Sequence, residues 1–196
     1  MKAFNRWETE GIKIVDPGLI NYISLKGKIV PKTGAKYAGF RFHKSKVFIV
    51  ERLINKVTVC GHKGKKHQKS SGHMTGKKDK AYQAVYKAFD LIEKKLGKNP
   101  VEVFAKAVET AAPREEIVTI EYGGARYPKA VEVAPQRRVD VVLRVMTQGA
   151  YAASFKKKTS LATALANEII AAYQVSAKSS AISKKRDLER QAASSK

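Results

Sequence analysis

Glu116-Ile-Val-Thr-Ile-Glu-Tyr-Gly-Gly-Ala-Arg-Tyr-Pro-Lys-Ala-Val-Glu-Val133 is the stretch that decides the fold. Its first limb is β-branched and aromatic through Tyr122. Residues 129–133 repeat that character after a loop holding Gly123, Gly124 and Pro128. Two short strands about such a loop make one hairpin, and six residues at roughly 3.3 Å each would carry it about 20 Å from a core. Helical patterns flank it on both sides.

Upstream, Asn99-Pro100 reads as the N-cap and first residue of a helix that turns Phe104, Ala107, Val108 and Ala111 inward and ends at Pro113. Before it, Ala81, Ala84, Val85, Ala88, Phe89, Ile92 and Leu96 recur at helical spacing, and Gly97 supplies the stop. Val47, Val50, Leu53, Ile54 and Val57 mark an earlier helix, from Lys46 onward. Downstream, Pro135 opens a fourth helix with Val139, Val142, Leu143 and Met146 inward. Leu161, Leu165, Ile169, Ala172 and Tyr173 define a fifth, and Ser183 is expected to cap a last, polar helix reaching Ala193. The expected fold is mainly α, a bundle of about six helices. A β-hairpin, residues 116–133, protrudes between helices three and four, and residues 46–196 form the helical domain. Residues 1–45 are rich in Gly, Lys and Pro and lack a long period. They read as an extended basic arm that offers little core and is partly disordered when free.

Charge selects the partner. The 196 residues carry 39 Lys and Arg against 17 Asp and Glu, a formal +22, although 43% hydrophobic content permits an ordinary core. Solubility of a small domain needs a charge of only about 2 to 8, so the surplus fits a polyanion whose phosphates neutralise it. The cations cluster. The loop of residues 61–80 holds Lys63, Lys65, Lys66, Lys69, Lys77, Lys78 and Lys80 against Asp79 alone. Lys156, Lys157 and Lys158 form a second cluster, and Lys184, Lys185 and Arg186 a third. Arg137 and Arg138 stand in the first turn of the fourth helix, against its dipole. They either hold a phosphate beside the helix N–H groups or pair with Asp140 or a neighbouring Glu.

Other chemistries fit poorly. Gly72-His-Met-Thr-Gly76-Lys77-Lys78 has too short a glycine spacing for a phosphate-binding loop, and Lys78 stands where Ser or Thr should meet magnesium. Cys60, His62, His67 and His73 match no zinc-ligand spacing, so no metal or cofactor is expected and the imidazoles read as RNA partners. No nucleophile stands with a base, and Glu115-Glu116 read as solvated or pairing residues, so no enzyme is expected. No apolar run approaches the roughly 18 residues of a membrane span, and the first residues lack a signal-peptide core. A cytoplasmic protein is expected. A DNA-binding architectural protein would satisfy the charge alone.

The run containing Gly123-Gly124-Ala-Arg126-Tyr127, Ala130-Val-Glu-Val133, Pro135 and Arg137-Arg138 resembles the small-subunit ribosomal protein seven family. That family pairs a Gly-Gly hairpin with a Val-Glu-Val-x-Pro-x-Arg-Arg joint. The likeness continues through Leu165-Ala166-Asn167-Glu168, Lys184-Lys185-Arg186-Asp187, Ile54-Asn55-Lys56 and Gly76-Lys77-Lys78. Phe48-Ile-Val-Glu-Arg-Leu53, Pro113-Arg114-Glu115 and Asp187-Leu-Glu-Arg190 look like its archaeal and eukaryotic branch. The resemblance implies a structural, ribonucleoprotein role in translation. The partners implied are the three-prime major domain of small-subunit rRNA, neighbouring proteins of the head and platform, and exit-site tRNA and mRNA near the hairpin. It makes Lys77, Lys78, Arg137, Arg138, Lys184, Lys185 and Arg186 expected rRNA contacts, joined by Lys63, Lys65, Lys66, Arg144, Lys156, Lys157 and Lys158. Gly123, Gly124, Arg126 and Tyr127 become the tRNA- and mRNA-proximal hairpin. Residues 1–45 have no counterpart in the bacterial pattern.

Overall fold

A computed structural model describes residues 1–61 and 74–196. Among these residues the chain forms α1 (Ile49–Val57), α2 (Lys78–Leu96), α3 (Pro100–Ala111), β1 (Glu115–Tyr122), β2 (Ala125–Glu132), α4 (Pro135–Ser154), α5 (Leu161–Tyr173) and α6 (Ser180–Ala193). The expected helical bundle with a hairpin between its third and fourth helices is therefore the observed architecture. α5 is its axis. Ala162, Ala164, Leu165, Ala166, Ile169 and Ala172 are buried, and the helix packs against α2, α3 and α4. A helix apolar on so much of its circumference can only be stable enclosed.

Local signals set the ends. The Asn99 side chain accepts from Val101 N at 3.0 Å, with Pro100 in the first turn, where its missing N–H would go unpaired anyway. Gly97 closes α2 at φ 62°, a left-handed conformation that a Cβ would resist, and its N–H donates to Glu93 O at 2.8 Å. Two helix starts correct the sequence expectation. Val47 is extended, and α1 begins at Ile49 and not at Lys46. α6 starts a turn before Ser183, because Ser179 is the cap, its Oγ accepting from Ile182 N at 3.3 Å. Glu168 of α5 reinforces it, Oε1 accepting from Ser179 Oγ at 2.9 Å and Ala181 N at 3.1 Å. Burial pushes the Glu168 carboxyl up, and these donors only partly offset it.

The hairpin is longer than expected. Pro128 belongs to β2, opposite Thr119, and the loop is Gly123 and Gly124 alone, both at positive φ as a tight two-residue turn demands. Counting back from the closing pair Tyr122↔Ala125, the pair Thr119↔Pro128 falls at a non-hydrogen-bonded position, where the missing N–H would have faced solvent. Eight residues per strand give a reach of about 26 Å at roughly 3.3 Å each.

The arm also needs revision as a source of core. Ala3, Phe4, Trp7, Leu19 and Ile23 are buried in the main cluster. The Phe4 ring meets Tyr82 and Phe89 edge-on at 5.0 and 6.1 Å, while Trp7 lies 5.5 Å from Tyr86. Ion pairs add to this: Arg6 reaches Asp90 at 2.8 Å and Glu93 at 2.5 Å. The buried carboxylate of Glu51 accepts from Thr33 N and Oγ1, both at 2.7 Å. In the free protein, hydrogen exchange should therefore be slow at Trp7 and Ile23, whose amides donate to Ala3 O and Leu19 O, and fast across residues 34–41. Uniformly fast exchange over residues 1–33 would restore the picture of a loose arm.

Candidate nucleic-acid interface

The structure sorts the expected cations into exposed and structural ones. Arg137 and Arg138 are neighbours about 100° apart on a helix, so they face different surroundings. Arg137 is exposed at the root of the hairpin, its Nε 2.7 and 2.9 Å from the two carboxylate oxygens of Glu116. Arg138 turns inward. Its Nη2 donates to Asp16 Oδ2 at 2.6 Å and its Nε to Pro113 O at 3.0 Å, and 9% of its side chain is exposed. Burial pushes the Asp16 carboxyl up, but Arg138 and the Gly18 N–H outweigh it and hold the group below its ordinary value. Arg138 thus ties the arm, the end of α3 and α4 together, and it is not presented to an outside phosphate.

Lys185 is also committed, donating to Thr110 O in the last turn of α3 at 2.8 Å, whereas Lys184 is exposed and Arg186 reaches Val175 O at 3.4 Å from an exposed position. Lys78 lies 3.7 Å from Glu51, and Lys77 is exposed at the N-cap of α2. Lys156, Lys157 and Lys158 are exposed in the turn after α4, beside a cleft that Lys80, Tyr151 and Phe155 help to line. Lys63, Lys65, Lys66, His62, His67 and His73 lie outside the described residues. Cys60 is described, and burial pushes its thiol up to about 11, so at neutral pH it carries its proton.

The fold gathers one group that sequence separates. Lys44 from the arm, Lys56 from α1, and Arg137 and Arg144 from α4 line a single cleft together with Phe42, Gln136 and Asp140. Lys44 and Arg52 both pair with Asp140, Arg52 at 3.0 Å, and Arg52 also donates to Tyr22 O at 2.9 Å. Burial alone would raise the Asp140 carboxyl, yet Lys44 and Arg52 hold it below its ordinary value. Lys44, Lys56 and Phe42 escaped the sequence expectations. The available signal was the interleaving of rings and cations in Tyr37-Ala-Gly-Phe40-Arg41-Phe42-His43-Lys44.

At the hairpin base the adjacent acids prove to be pairing residues, Glu116 with Arg137 and Glu115 with Lys196 at 2.7 Å. Along the ribbon, Arg126 lies opposite Glu121 at 3.6 Å and Tyr127 opposite Ile120. Tyr127 pairs across the strands and still leaves 58% of its surface exposed. Val118, Ile120, Tyr122 and Tyr127 share one face of the ribbon, all exposed. Among the described residues no helix is long and apolar enough to cross a membrane.

A family model described as ribosomal protein S7p/S5e matches residues 20–196. The chain is 50% identical to a protein named small ribosomal subunit protein uS7 from Nanoarchaeum equitans over 196 residues, 100% of this chain and 99% of that one. A protein of the same name from Archaeoglobus fulgidus is 46% identical over 194 residues, covering 99% and 94%. Another from Methanothermobacter thermautotrophicus is 45% identical over 188 residues, covering 96% and 95%.

Proposed function

The chain belongs to the ribosomal protein S7p/S5e family, and from that premise we infer that it is a structural constituent of the small ribosomal subunit and not an enzyme. The observation that carries this reading is end-to-end similarity to proteins named for that subunit. The helical core binds the three-prime major domain of the small-subunit rRNA and helps nucleate assembly of the head. Exposed Arg137, Arg144, Lys156, Lys157, Lys158 and Lys184 serve phosphates, which position a protein without reading sequence. Residues 1–33 dock on the core, while the exposed stretch around Phe40 to Lys44 orders against RNA. Neighbouring head and platform proteins complete the surroundings.

The hairpin acts on ligands of the ribosome. Its outer pairs stand clear of the core, with Arg126 able to neutralise a phosphate and Tyr127 to stack on a base near exit-site tRNA and mRNA. Val118 and Lys129 are register partners, so replacing residues 119–128 by Asn-Gly shortens the ribbon without a slip. In chemical footprinting, parent and shortened protein should protect the same three-prime major-domain nucleotides, with equal helix content. Subunits carrying the shortened form should release exit-site tRNA faster or misread frame more often. A folded variant that no longer protects the rRNA would make the hairpin a primary anchor, and absence of protection by the parent would remove the rRNA reading.

A further inference from the structure

We propose that the cleft at the N-terminal end of α4 holds one unpaired RNA nucleotide, its phosphate among the cations and its base on the ring of Phe42. The inference rests on the rRNA-binding reading and narrows it to a site. The cations are Lys44, Lys56, Arg137 and Arg144. The acid among them, Asp140, is already engaged by Lys44 and Arg52, and Glu116 by Arg137, which leaves Lys56 and Arg144 to add positive charge. The helix end itself is open. Ala134 is a cap without a side-chain acceptor, no acid stands in the first turn, and the first helical bond is Arg138 N to Ala134 O. The N–H groups of Gln136 and Arg137 therefore find no acceptor within the helix, an arrangement that favours an anion.

A second observation points to a ligand independently. Gln136, 6% exposed, lines the same cleft; its Oε1 accepts from Ser45 Oγ at 2.5 Å, and its Nε2 is buried without any acceptor among the described residues. Buried donors in native proteins are rarely left so unless an ion, water or ligand completes them. Phe42 supplies the other half. Phe42 is 64% exposed, and the next exposed ring, Phe40, is tilted against His43 with ring centres 4.9 Å apart. A surface ring bordered by cations suits a base, because every base offers a π-face and brings a phosphate with it. A protein partner would instead have to bring acids. A paired base hides its faces in the duplex stack, which makes the ligand an unpaired nucleotide.

The test uses the full-length chain and two short RNAs, an oligouridylate and a blunt duplex of equal length. Phe42→Trp adds an indole at the site, and native Trp7 is buried elsewhere. Oligouridylate should quench the new indole saturably and the duplex should not. Phe42→Ala should weaken oligouridylate binding about ten-fold, within the range of one lost base stack, and leave duplex binding unchanged. Equal quenching by both RNAs, or an Ala variant that binds oligouridylate like the parent, overturns the proposal. If the parent still protects the three-prime major domain in that case, the subsite alone has failed; if it does not, the rRNA reading has failed with it.

Discussion

Raising salt from about 50 to 200 mM should weaken binding of this protein to a three-prime major-domain rRNA fragment by roughly a thousand-fold, as expected when six or more phosphates are neutralised together. The motive is the spread of exposed cations over the start of α2, the length of α4, the turn after it and α6, on a chain of net charge +22. Each counterion released steepens the log–log slope, so single replacements have a countable effect. Arg144→Ala or Lys157→Ala, each at an exposed side chain, should reduce the slope by about one. Lys185→Ala should weaken the join between α6 and α3, whose Thr110 carbonyl it serves. Isothermal binding across a salt series measures all of these. A flat response in the parent would mean that phosphates are not the main contact.

Arg138→Ala should behave in the opposite way, lowering stability by about 3 kcal/mol or more while the salt slope holds, because deleting one partner leaves a half-buried charge unpaired. That charge is Asp16, 17% exposed, and Pro113 O would lose its donor as well. Asp16→Ala should destabilise comparably. The double variant should lose much less than the sum, since both changes remove one shared interaction. Urea unfolding of the four proteins measures the coupling. If Arg138→Ala instead keeps its stability and flattens the salt slope, the side chain serves RNA and the structural role assigned here is wrong.

The two neighbouring arginines show where sequence reasoning ends. From the helix start both read alike, as phosphate ligands or as partners of a nearby acid, and only the three-dimensional position of Asp16, 122 residues from Arg138, separates them. Features written locally were legible: the apolar stripe of α2 with Gly97, the Asn99-Pro100 start of α3, and the Gly-Gly turn of the hairpin. Features that depend on a distant partner were not. Ser183 was expected as a cap because nothing local reveals that Glu168 closes α6 from another helix. Pro128 was expected in the loop because its place in the ladder depends on register. The core residues of the arm have no period, since Phe4 and Asn5 sit at positive φ and their aromatic neighbours lie on α2. The same gap hid the α4 cleft, whose cations come from three separate elements.

Sedimentation of a tagged form of this chain in cell extracts tests the central claim most directly. The protein should co-migrate with small subunits and polysomes in near one-to-one proportion to the small-subunit rRNA, and it should remain there after subunits are separated by lowering magnesium. Recovery at the top of the gradient, or with DNA and in small fractional amounts on subunits, would contradict it.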